Sequence, residues 1–207
     1  MVMEELLYSR KNIRHSHQSF NLCPQLQTVV DDTSYSAHQD TSKKTSFTRA
    51  DLESCAKSKL FGEGNAQLPS PPLLILDRVV ELQRSGGMFD RGFAVAEIDI
   101  DPSDWFFNHH FDGDPLIPGC FLTEGMWQLT GFYLAWRGLK GKGRVLESGN
   151  TRFIEPVSTN KTTLTVTVQV RKLITTNASI CFADADVRRN ESLICKCKSI
   201  KIGLFEQ

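Results

Sequence analysis

The sequence predicts an α+β fold in which an antiparallel sheet of about six strands wraps one long buried helix, at about 119–137. Three observations carry that reading. The segment GCFLTEGMWQLTGFYLAWRG (119–138) is apolar around nearly its whole circumference and lacks the period of two that marks a strand. Runs such as TTLTVTVQVRKLI (162–174) alternate apolar and polar residues strictly. The chain has 207 residues, 40% of them hydrophobic, which is enough apolar matter for one substantial core.

The first 46 residues stand apart. They are rich in Ser, Thr, Asn, Gln and His, and we expect a mobile or weakly structured extension over 1–46 and one domain over 47–207. Thr48, followed three residues later by Asp51, opens a short helix over ADLESCAKSKL in the manner of a capping box. Gly62, Gly64, Pro69, Pro71 and Pro72 then make a connection that no helix can cross.

Six strand-like runs follow. LLILDRVVEL (73–82) is apolar and β-branched, and Gly86-Gly87 ends it. GFAVAEIDID (92–101) puts Ala94, Ala96, Ile98 and Ile100 on one face and Glu97 and Asp99 on the other, as in a half-solvated sheet. GRVLESGNTRFIEPV (143–157) reads as one strand bent near Gly149, and TTLTVTVQVRKLI, SICFADADV and SLICKCKSIKIGL complete the set. The helical segment ends at Arg137-Gly138, a good stop, and at 1.5 Å per residue it would be roughly 28 Å long. One buried helix held by such a sheet is the hot-dog arrangement.

Charge and cysteine usage narrow the function. Lys+Arg and Asp+Glu number 24 each, so nothing electrostatic recommends nucleic acid or an anionic membrane as a partner. No run reaches the roughly 18 apolar residues of a membrane span. The opening MVMEELLYSRKNIRHSHQS has no apolar stretch of the signal-peptide kind, so a soluble, cytoplasmic protein without membrane insertion is expected. The six cysteines (23, 55, 120, 181, 195 and 197) include no C-x-x-C pair, which favours free thiols over disulfides or zinc.

The densest polar cluster, WFFNHHFDGDPLIPGC (105–120), lies immediately before the long helix. A helix start offers unpaired backbone N–H groups and the positive end of the dipole. Pro118-Gly119 falls at that start, and Gly lets a ligand approach the backbone. His110 is the residue type that titrates nearest neutrality, and Glu124 has Gln128 one turn later on the same face. A His, a carboxylic acid and free N–H groups are the parts that an elimination beside a carbonyl needs. His109 and His110 would point opposite ways in an extended segment, so no metal is expected there. Asp112-Gly-Asp-Pro is also ordinary turn composition, and Glu124 on its own could be a helix-start acid favoured by the dipole.

His110-Phe-Asp-Gly-Asp-Pro-Leu-Ile-Pro-Gly-Cys120, an H-F-x-G-D-P-x-x-P-G-C pattern, resembles the active-site signature of the bacterial 3-hydroxydecanoyl acyl-carrier-protein dehydratase/isomerase family. The flanks agree: FGxGxAQLPxPPLLILDRVV before it, Trp105-Phe-Phe just upstream, MWQLTGFYLAWRG and GKGR after it, and GLF near the end, so the likeness runs from about Phe47 to Phe205. The resemblance implies a hot-dog homodimer with shared active sites. It makes His110 the base, held by a hydrogen bond from its ring to the Leu116 carbonyl. Gly119 N–H would polarise the thioester carbonyl with Cys120 lining the same pocket, and Glu124, oriented by Gln128, would be the acid supplied across the dimer. No cofactor is implied beyond the phosphopantetheine of acyl carrier protein, the expected partner. The implied reaction is dehydration of (3R)-3-hydroxyacyl-carrier-protein of the 3-hydroxydecanoyl class to the trans-2-enoyl form in fatty acid biosynthesis, followed by trans-2 to cis-3 isomerisation.

Two departures keep alternatives open. The family usually has Asp where this chain has Glu124, and Glu belongs to related dehydratases that do not isomerise; a dehydratase without isomerase activity, or a non-catalytic acyl-thioester-binding paralogue, is therefore an alternative. A hot-dog thioesterase generally requires no equivalent of His110, so the His110 and Gly119 pairing argues for elimination. The acidic carrier protein needs a basic docking surface. Here Arg171 and Lys172 are present but Thr175-Thr176-Asn177-Ala178 follow, with Arg188 and Arg189 as possible substitutes.

Overall fold

In the computed structural model, which describes residues 44–176 and 178–205, the strict alternation of the strands becomes one antiparallel sheet. Its seven strands are β1 (Arg78–Gln83), β2 (Phe93–Ile100), β3 (Lys142–Ser148), β4 (Thr151–Phe153), β5 (Thr162–Thr175), β6 (Ser179–Arg189) and β7 (Ser192–Phe205). They lie in the order β1-β2-β5-β6-β7-β3, with β4 also on β7. Register places the apolar faces opposite one another: Ala94 faces Val168, Ala96 faces Val166 and Ile98 faces Leu164. All six of these side chains are buried, while Glu97 and Asp99 lie on the other face. This is the hot-dog α+β fold expected from the sequence.

The long helix, α2 (Gly119–Trp136), packs against β2, β5, β6 and β7. Small residues beneath it (Ala94, Ala96, Ala183 and Ala185) let it sit close to the sheet. At Gly125 even a Cβ would come within 3.1 Å of Ile98 Cδ1. Phe132 is buried with the rings of Phe47 and Phe61 edge-on at 5.1 and 5.2 Å. Truncating it to Ala would cost about 3–5 kcal/mol.

The other helix, α1 (Arg49–Ala56), starts on the expected capping box: Thr48 and Asp51 each accept from the other's backbone N–H. It stops before the expected Leu60, at a Lys57 cap followed by Ser58 with φ +57°. Lys44 already belongs to the fold, since its carbonyl accepts from Trp136 Nε1 at 3.0 Å. Residues 1–43 of the expected extension, with Cys23, lie outside the described residues.

Two strand expectations change. The 143–157 run divides into β3 and β4, broken at Gly149-Asn150, which raises the count from six to seven. The 73–82 run forms a strand only from Arg78: the Leu73, Leu74 and Leu76 carbonyls and the Ile75 N–H bond to side chains, and pairing with β2 begins at Asp77, whose N–H donates to the Glu97 carbonyl at 2.9 Å. Cys55, Cys181, Cys195 and Cys197 are buried free thiols, and burial pushes Cys181 up to about 12, so they pack rather than react. Among the described residues no helix is long and apolar enough to cross a membrane.

Candidate active site

The loop between the short 3-10 helix Trp105–Asn108 and α2 folds back on itself through residues 110–116. Leu116 N–H donates to the His110 carbonyl at 2.8 Å, and His110 Nδ1 lies 3.1 Å from the Leu116 carbonyl. A carbonyl only accepts, so Nδ1 carries a ring proton, and in the neutral ring the lone pair lies on Nε2. The loop is tied down further on, where Ile117 N–H donates to the Val157 carbonyl at 2.9 Å. The geometry fixes one tautomer and one ring orientation of a half-buried histidine.

Pro118 is the N-cap of α2 and offers no side-chain cap. Phe121 N–H donates to the Pro118 carbonyl at 2.9 Å, which leaves the N–H groups of Gly119 and Cys120 at the positive end of the dipole ahead of the first helical hydrogen bond. Gly119 lies beneath the Phe153 ring: a Cβ there would be 2.9 Å from Phe153 Cε1. Cys120, next along, is an exposed free thiol.

One turn into α2, Glu124 accepts at Oε1 from Gln128 Nε2 at 2.9 Å. Gln128 is only 4% exposed, and its remaining bonds go to an extended strap, residues 73–77. Its Nε2 donates to the Leu73 carbonyl at 2.7 Å, and its Oε1 accepts from Ile75 N–H at 3.0 Å. Both ends of the amide are thus used, which fixes its orientation and with it the Glu124 carboxyl.

Cys120, Glu124, Trp127 and Gly131 recur at helical spacing along the one stripe of α2 that the sheet leaves partly uncovered. On this stripe the Trp127 Nε1 donor is buried without a hydrogen-bond partner. Nearby strands are also uncovered: every residue of β3 is exposed, with Val145 at 46% and Leu146 at 44%, and Phe153 on β4 is 57% exposed.

Five of the six residues singled out from the sequence thus gather at the start of α2 and in the loop before it: His110, Leu116, Gly119, Cys120 and Glu124. The sixth, Gln128, lies one turn further along. His110 and Glu124 share no hydrogen bond within one chain among the described residues. Sequence reasoning missed Phe153 beside Gly119 and the strap that holds Gln128; the sequence there, Leu73-Leu74-Ile75-Leu76, is an unbroken apolar run with no sign of it. No group of three His, Cys, Asp or Glu among the described residues is arranged to hold a metal ion.

The basic residues singled out for docking have partners of their own. Arg171 pairs with Asp184 at 3.2 Å and lies over the Phe89 ring, Arg188 pairs with Asp186 at 2.9 Å, and Arg189 pairs with Glu155 at 3.3 Å. Lys172 is exposed. Such surface pairs are worth about 0–1 kcal/mol, so a stronger anionic partner can displace them.

Comparison with known proteins gives a family and a fold. Residues 68–198 match the family described as the FabA-like domain. A chain of the dehydratase heterocomplex ApeI:P from Xenorhabdus doucetiae superposes with a TM-score of 0.51 at 14% identity, over 67% of this chain and 87% of that one. The E. coli PaaI protein, from the phenylacetic acid degradation operon, gives a TM-score of 0.44 at 15% identity, over 62% and 78%. Protein PH1136 from Pyrococcus horikoshii gives 0.46 at 13% identity, over 64% and 85%.

Proposed function

This chain belongs to the FabA-like domain family, and we propose that it dehydrates (3R)-3-hydroxyacyl thioesters of the 3-hydroxydecanoyl class, carried on acyl carrier protein, to the trans-2-enoyl form. The observation that best supports the reading is the His110–Leu116 pairing, which leaves Nε2 of a half-buried histidine free as a base within the loop that leads to an uncapped helix start.

In this reading the thioester carbonyl accepts from the Gly119 N–H, with Cys120 beside it, and the developing enolate is stabilised there by a few kcal/mol. His110 Nε2 takes the C2 proton. The electron pair of that C–H bond becomes the C2–C3 double bond as the C3–O bond breaks, and Glu124, protonated, gives its proton to the departing hydroxide as water. The two residues meet across a homodimer, so His110 of one protomer works with Glu124 of the partner subunit. The uncovered α2 stripe and the exposed apolar residues of β3 and β4 are the surfaces that the second copy covers. The pantetheine-linked chain lies between the two copies, and the setting is the cytoplasm.

Isomerisation of trans-2 to cis-3 is the second part of the proposal. It requires a proton to leave C4 and another to arrive at C2, a sequence more sensitive to carboxyl position than dehydration. Glu124 reaches one methylene further than the Asp of the resembled family, which favours a second reading in which the chain stops at the trans-2 product.

The test is product analysis with 3-hydroxydecanoyl-carrier-protein, resolving trans-2 from cis-3 decenoyl. Both products support the full cycle, and trans-2 alone supports the second reading. No alkene would overturn both and leave acyl binding without turnover. His110→Ala and Glu124→Gln should each lower turnover by about 10²–10⁴-fold while leaving thioester binding in place.

A further inference from the structure

The strap at 73–77 is held from both edges. In an extended segment the backbone groups of alternate residues point in opposite directions, and over residues 73–76 each set meets a side chain, while at the end of the strap Asp77 N–H donates to the Glu97 carbonyl of β2 at 2.9 Å. The Leu73 carbonyl and Ile75 N–H face Gln128 on α2, at 2.7 and 3.0 Å. The Leu74 and Leu76 carbonyls accept from Arg49 Nη1 on α1, at 3.2 and 2.9 Å. Arg49 Nη1 also reaches Asp77 Oδ1 at 3.2 Å, and Asp77 Oδ2 accepts from Asp99 N–H on β2 at 2.8 Å. The Leu74 and Leu76 side chains are buried, which fixes the strap's rotation about its own axis.

We propose that Arg49 is a positioning residue for the acid: by gripping the outer edge of the strap it holds the two backbone groups that aim Gln128, and Gln128 aims Glu124. This rests on the proposed role of Glu124. Arg49 itself touches neither substrate nor Glu124. Its other contact, Nε to Glu53 at 3.4 Å one turn along α1, does not reach the strap and is not part of the relay.

The experiment uses the full chain. Arg49→Met keeps the aliphatic stem and removes the donors; it should lower kcat by roughly 10-fold with KM within about twofold, since misplacements near an ångström carry costs of that order. In a Gln128→Leu background the same substitution should change kcat by less than about 1.5-fold, because the two act in series. Glu53→Gln should leave turnover unchanged. Independently of activity, hydrogen exchange at the Ile75 amide should speed up at least about 10-fold in Arg49→Met, while the amides paired between β2 and β5 stay protected. Should Arg49→Met fail to fold, Arg49→Lys, which retains a cation but not the guanidinium fork, is read in the same way for a smaller effect. Additive losses in the double variant, or unchanged Ile75 exchange, would overturn the proposal. A wild-type chain without dehydratase activity would overturn the functional reading instead, and the Ile75 exchange would then decide whether Arg49 holds the strap.

Discussion

Gln128 donates to Glu124 at 2.9 Å from the same nitrogen that donates to the Leu73 carbonyl at 2.7 Å, so the carboxyl on the helix and the strap outside it share one amide group. Replacing Gln128 with Leu removes the guide and strands the Leu73 carbonyl and Ile75 N–H. We expect about 1–3 kcal/mol lost from stability. Turnover should fall further than stability explains, by roughly 10–100-fold. Steady-state kinetics beside a thermal melt checks this, and a normal kcat in a folded Gln128→Leu protein would remove Gln128 from the site.

Gly119→Ala tests the helix start. The added methyl meets the outer ring carbons of Phe153, an exposed side chain that can swing away, so the melting temperature should move by only a few degrees. The displaced ring and the added methyl both intrude where the thioester carbonyl is proposed to lie, and kcat/KM should drop about 10-fold or more. Phe153→Ala in the same chain should restore the stability and not the rate. Restoration of both would show that the ring, not the methyl, was the obstacle.

The exposed β3 edge predicts concentration dependence. Val145→Asp with Leu146→Glu puts two charges on a strand edge that presents unpaired backbone groups. The expected outcome is a shift from dimer to monomer by light scattering together with loss of turnover, with the strand signature in circular dichroism retained. A fully active monomer would refute a site shared between two copies.

Acid sensitivity should trace to Arg78. Its hydrogen bonds hold the Asp99 carboxyl below the ordinary carboxylate value of about 3.9. A carboxylate whose pKa is depressed by folding adds stability above its unfolded value and loses it as pH falls through the folded one. Asp77 runs the other way, since burial raises its pKa and its contribution fades as pH rises through the folded value. Arg78→Met should therefore lower the melting temperature by about 2–4 °C at neutral pH, a surface pair being worth at most about 1 kcal/mol. The gap should close once pH has fallen through the lowered Asp99 pKa, where the carboxyl is protonated in both proteins. A gap that persists there would mean that Arg78 acts through packing.

Much of the fold was legible because its determinants are local. The period of two in 162–174 and the nearly complete apolar circumference of 119–136 need no distant partner to be read, and the Thr48–Asp51 cap lies within four residues. The 143–157 run divided in two although β3 and β4 keep one register on β7, with Ser148 opposite Ile200 and Thr151 opposite Cys197; the ladder lapses at Gly149-Asn150, where β7 carries Ser199 at φ +62°. Residues 73–76 were misread as strand because their composition is that of a strand, while their partners are side chains of Arg49 and Gln128, 25 to 55 residues away. Of the candidate site, the residues in the loop and on the helix stood out by their chemistry. Their support did not, since an arginine in a short surface helix carries no mark of the carbonyls it reaches.

The double grip on residues 73–77 also sets where the protein can be cut. A fragment starting at Leu68 would keep His110, Gly119, Glu124 and Gln128, and by a residue checklist it would be complete. It would lack α1, and with it the anchor for the Leu74 and Leu76 carbonyls, as well as the Phe47 backbone that bridges to Val79. Such a fragment would carry every residue of the proposed chemistry with the Glu124 carboxyl loosely aimed, so residues 44–56 belong in any domain graft or fusion built to test it.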